Sequence, residues 1–116
     1  MARINNNQAR RLVQKCEPFM NNNGTMYGTP KSAYGDKWYV VYSYGDHWPM
    51  YIKDMVADHW YANKDKASRT TSRHASQACP HGVELTFLSE DKMCRLARLG
   101  PNEYVKRELA EGIKYI

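Results

Sequence analysis

Apolar and polar positions change rhythm several times along the chain. At residues 8–15, Leu12 and Val13 stand among Arg10, Arg11, Gln14 and Lys15, which predicts a short helix capped by Asn6 or Asn7. It should end before Pro18, because the residue ahead of a proline resists helical backbone. Residues 17–37 hold three Gly, two Pro and four Asn or Asp, and read as a long irregular arm. Trp38 to Tyr44 is aromatic or β-branched almost throughout and predicts a strand. Gly45-Asp46 supplies a turn, and Trp48 to Lys53 reads as the return strand of a central hairpin, residues 38–53. Pro49 cannot donate to a ladder, so it should start that strand or lie at an edge. A turn at Val56-Ala57-Asp58 precedes a third strand at His59-Trp60-Tyr61-Ala62. Val83 to Leu88 alternates apolar residues with Glu84 and Thr86 as a weaker strand.

The C-terminal rhythm is helical. Ser89 can cap a helix whose first turn holds Glu90 and Asp91, and Gly100-Pro101 should stop it. Asn102 can cap a last helix, with Val105, Leu109 and Ile113 on one stripe. The expectation is an α+β domain: a small antiparallel sheet of three to four strands packed against short helices on one face. Residues 1–116 read as a single domain, with an N-terminal helix and irregular arm (1–37), a β-rich core (38–88) and a helical C-terminal part (89–116).

Composition adds limits to this picture. With 116 residues, 42% hydrophobic and 25% charged, the chain has ordinary globular usage and one domain's length. No apolar run approaches the roughly 18–20 residues a bilayer needs, and Arg3 is followed by no apolar stretch of a secretory leader. No internal repeat is visible. Cys16, Cys79 and Cys94 are odd in number and widely spaced, which suits a reducing cytoplasm better than a disulfide framework. Nine Tyr and three Trp against two Phe is the unusual figure, since rings with a polar tip serve contact surfaces as well as cores.

The net charge of +5 is uneven. Residues 66–81 carry three Lys or Arg, two His and no acid, whereas residues 38–65 are acidic on balance. Lys66, Arg69, Thr70, Thr71, Ser72, Arg73 and His74 combine cations with hydroxyls. Thr70, Thr71 or Ser72 can cap a short helix running to about Ala78, ahead of Pro80. Such a helix start is a sound anion site, although a capped helix with solvated arginines explains the same residues. Arg10, Arg11 and Lys15 form a secondary basic group.

The run from Tyr39 to Gln77 resembles a family of small tailed-phage proteins. In that pattern a strand like Val40-Val41-Tyr42-Ser43-Tyr44 precedes Lys-Tyr-Ser-x-Thr-Thr-Ser-x-His, matched here by Lys66, Ser68, Thr70, Thr71, Ser72 and His74, with Ala67 in place of the Tyr. The resemblance brings no enzymatic mechanism. It implies a phage protein in the host cytoplasm, of the kind that binds host enzymes or defence complexes, anti-CRISPR inhibitors included.

Other chemistry is thinly supported. His74, Cys79 and His81 offer three ligands but lack the second pair of a structural zinc site, so no metal and no cofactor are expected. A Cys79/His74 nucleophile lacks an adjacent acidic orienter. Phosphate-loop, dinucleotide and hydrolase motifs are missing from the sequence. Alternation puts Tyr39, Val41 and Ser43 on one face of the first strand and Trp38, Val40, Tyr42 and Tyr44 on the other, both apolar enough to be covered. If one is left open, Tyr42, Tyr44, Trp48 and Trp60 would form a ring-rich surface beside Arg69 and Arg73. The sequence therefore points to a non-catalytic binding module whose partner is a host protein or ribonucleoprotein complex. Direct nucleic-acid binding is the first alternative and a small enzyme using Cys79 and His74 the second, with no membrane association.

Overall fold

A computed structural model of the chain describes residues 2–44, 48–65 and 69–114. Seven strands form one sheet in sequential order: β1 (Ala2–Ile4), β2 (Phe19–Asn21), β3 (Met26–Ala33), β4 (Asp36–Ser43), β5 (Pro49–Asp54), β6 (His59–Asn63) and β7 (Leu85–Leu88). Strands β2 to β6 make an antiparallel meander. The two outer pairs, β1 with β2 and β6 with β7, are parallel. Each parallel pair needs a crossover, and a helix supplies it: α1 (Ala9–Gln14) joins β1 to β2, and α2 (Arg69–Ala78) lies between β6 and β7. Helices α3 (Glu90–Leu99) and α4 (Glu103–Lys114) end the chain.

This overturns the expectation of a small antiparallel sheet of three to four strands. The sheet is larger and mixed, and the supposed irregular arm contributes β2 and all of β3. Gly28 and Pro30 disguised β3, which pairs with β4 from Met26↔Ser43 to Ala33↔Asp36. Gly28 belongs there because a Cβ would strike the Tyr39 hydroxyl and the Phe19 ring. Pro30 falls where β2 no longer covers the outer edge of β3, the position a strand proline tolerates. Tyr34 and Gly35, with φ of 50° and 87°, turn the chain from β3 into β4.

Helices cover both faces, where one was expected. The reason is legible in β4, which is buried at every position from Trp38 to Ser43, as befits a strand packed on two sides. Tyr39 and Val41 join Phe19, Met26, Tyr51 and Trp60 beneath α1 and α2. Trp38, Val40 and Tyr42 join Ile52, Leu88, Met93, Leu96 and Val105 with α3 and α4. The face alternation is as the pattern predicts from Trp38 to Ser43, but Tyr44, past the end of β4 with φ of 57°, lies beside His74 on the α2 side and not with Tyr42 as expected. A bulge opposite Val41 and Tyr42 breaks the register of β5, so that Met50 and Tyr51 both pack beneath α1 and α2.

The C-terminal helices start as anticipated. Ser89 Oγ accepts from the Lys92 amide at 3.4 Å, and Asn102 Oδ1 accepts from the Val105 amide at 2.9 Å. Gly100, at φ 82°, ends α3 where a Cβ would meet the Trp38 ring. The turn before β6 is held by Asp54, whose Oδ1 accepts from Val56 and Ala57 amides at 3.1 Å each. The turn expected at Gly45-Asp46 lies outside the described residues.

Candidate functional site

Helix α2 carries most of the residues singled out from the sequence. It begins at Arg69, so Thr70, Thr71 and Ser72 lie within the helix rather than capping it. Spacing then sorts their neighbours. Thr71 and His74, three apart, turn inward and are buried, as is Ala78. Arg69 and Arg73 stay exposed on the outer side. Lys66 lies outside the described residues.

Beneath α2 a small polar group crosses the core. Ser43 Oγ sits 2.8 Å from His74 Nδ1 and donates to Thr71 Oγ1 at 3.4 Å, and all three residues are buried. The Tyr44 ring lies 5.8 Å from that of His74 and is half exposed. Burial, assisted by the adjacent Arg73 guanidinium, holds the His74 pKa below its usual value, so the ring is neutral at pH 7. Buried polar groups need partners, and Ser43 provides one. His74 is thereby a satisfied interior histidine.

Several expected surface residues are corrected in the same way. Tyr42 is buried on the opposite face, stacked on Tyr27 at 5.0 Å, with its hydroxyl accepting from Lys31 Nζ at 2.8 Å. Trp60 is buried under Lys53, whose Nζ lies 5.7 Å from the ring centre. Both rings were consumed when helices covered the sheet twice. Tyr44 is exposed, and Trp48 is partly buried at the rim of a cleft of about 300 Å³ lined also by Tyr51, Ser72, Cys79 and Phe87. Arg10 is turned to structure: Nε donates to the Cys79 carbonyl and Nη2 to the Ser76 carbonyl, each at 2.7 Å. It closes the C-terminus of α2, where free carbonyls and the helix dipole favour a cation. Arg11 and Lys15 remain exposed on α1.

The thiol and imidazole of the enzyme alternative have different partners. Cys79 Sγ is 3.6 Å from the Pro80 carbonyl, and its neighbour Tyr51 has a pKa raised by burial and by that thiol. His81 is exposed, its carbonyl accepting from Gln14. Among the described residues no three His, Cys, Asp or Glu side chains converge on one point.

One feature had no cue beyond two short asparagine runs. The parallel register of β1 and β2, Ile4↔Asn21, brings both strands to an end side by side. Asn5–Asn7 leaves one and Asn22-Asn23 the other. Buried Asn21 holds the junction: its amide nitrogen donates to Asn6 Oδ1 and Thr25 Oγ1, both at 2.9 Å, and its oxygen accepts from the Thr25 and Met26 amides. Asn22 Nδ2 donates to Asn5 Oδ1 at 2.6 Å. With Gln77 of α2 these residues line an open concavity of about 520 Å³. Read singly, each run looks like a helix cap or a turn, and only strand pairing joins them.

Among the described residues no helix is long and apolar enough to cross a membrane. Comparison of the chain with protein-family models, with curated proteins and with solved structures finds no match.

Proposed function

We propose that this chain is a non-catalytic accessory module of phage type that binds, and so modulates or inhibits, a host macromolecular machine in the host cytoplasm. The observation that carries this reading is the surface at one end of the sheet. Tyr44 projects half exposed beside α2, which presents Arg69 and Arg73 outward. A ring and two guanidinium groups are the side chains that dominate binding energetics at interfaces. The resemblance of residues 39–77 to small phage proteins supports the host setting. The enzyme alternative draws no support from Cys79 and His74, which face different surroundings.

The test is capture from host lysate, with and without nuclease, by the wild-type protein and by the variant Y44A/R69E/R73E. The reading expects a defined partner complex held by wild type and lost by the variant, whose melting temperature stays unchanged. Identical recovery by both proteins would overturn it.

A further inference from the structure

We propose that the asparagine-lined concavity is a nucleotide site, taking a base against its amides and the attached phosphate against flanking arginines. The inference rests on the reading of this end as the contact surface and names the chemistry of what it contacts.

The lining is neutral and rich in paired donors and acceptors: Asn5, Asn6, Asn7, Asn22, Asn23 and Gln77. Each amide side chain offers an N–H donor and a carbonyl acceptor side by side, the complement of a base edge such as that of adenine. Part of this capacity is spent on structure, since Asn5 and Asn6 accept from Asn22 and Asn21. The rest is open. Gln77 Oε1 is buried with no hydrogen-bond partner among the described residues, and Asn7 and Asn23 make no side-chain hydrogen bond there. A buried acceptor without a donor is costly, and because Gln77 also lines the concavity, a rotation of its side chain would exchange that buried orientation for a hydrogen bond to a ligand N–H.

Charge selects the ligand further. Among the described residues no acid lines the concavity. Arg3 stands on one side, with Nη1 at 3.5 and 3.4 Å from the Asn21 and Asn22 carbonyls. Arg73 is exposed and lies four residues before Gln77 on α2, so the two share a helix face. A neutral peptide or sugar could use the amides but gives these cations no anion to pair with, whereas a nucleotide uses both. Tyr44, whose amide donates to the Thr25 carbonyl, is tied to the same corner and offers an exposed ring for stacking.

Fluorescence anisotropy with labelled A8 RNA, A8 DNA and an abasic octamer, across a salt series, tests this. The abasic strand should bind at least about tenfold more weakly than A8, a difference of about 1.4 kcal/mol. N7A/N23A/Q77A should lose about tenfold for A8 and leave the abasic strand unchanged, while R73Q should weaken both and flatten the salt slope. In 15N spectra, AMP should shift the side-chain amides of Asn7, Asn23 and Gln77. AMP binding as tightly as A8 assigns the site to a free nucleotide, and weaker AMP binding assigns it to a strand; either supports the proposal. Equal binding of A8 and abasic octamer, no effect of the amide variant, or no binding at low salt overturns it. If the amide variant still captures the host partner that Y44A/R69E/R73E loses, this site fails while the reading of the module stands.

Discussion

Two residues show how little freedom the core leaves. Gly28 lies against the Tyr39 hydroxyl, which donates to the Glu17 carbonyl at 2.7 Å, and against Phe19. Gly28→Ala would overpack a site with no slack, and a loss of about 2–3 kcal/mol in urea unfolding is expected. His74 gives a pH prediction. Its folded pKa lies below the unfolded value near 6.5, so the unfolded chain takes up the proton first as pH falls. The stabilisation is complete above about pH 6.5 and is lost on acidification toward the lower folded pKa. Melting temperatures between pH 7.5 and 5 should fall in wild type and fall less in His74→Gln. The sequence placed His74 among the surface binding residues, because burial of one helix face under Ser43 cannot be read from the helix alone.

At the scale of elements, local signals worked where local physics decided. Ser89 and Asn102 cap α3 and α4 because a side-chain oxygen three residues ahead of a free amide suffices. They failed where the partner was distant. The segment holding β3 looked irregular until β4 lay beside it. Its turn also keeps a cost: Tyr34 has φ of 50° and is wholly exposed, so its ring earns no packing. Tyr34→Asn, better suited to left-handed backbone, should stabilise the protein by about 0.5–1 kcal/mol in thermal or urea unfolding. The rules that misread Gly28 and Pro30 as breakers are sound on average and were overridden by pairing with β4.

For the whole molecule, the mixed sheet implies graded stability. Strand β4 is paired on both sides and buried on both faces. Strands β1 and β7 are short, terminal and bonded on one side only. Native-state hydrogen exchange should find β4 amides opening only with global unfolding, and β1 and β7 amides exchanging through smaller openings. Comparable protection throughout would contradict that order. The proposed nucleotide site lies at the β1–β2 end, where such openings are cheap, so ligand binding should slow exchange there first.

The sequence alone determined the α+β class, the 38–53 hairpin strands, the two faces of β4, and the caps of the last two helices. Each depends on residues near one another in the chain, where alternation and capping act directly. The tertiary structure decided the rest: seven strands in place of three or four, parallel pairing at both edges, helices on both faces, and burial of Tyr42, Trp60, Thr71 and His74. It also decided that two asparagine runs meet, because β1 and β2 run parallel and end together. Pairing between distant segments is a property of the folded chain, and neither run by itself carries any sign of the other.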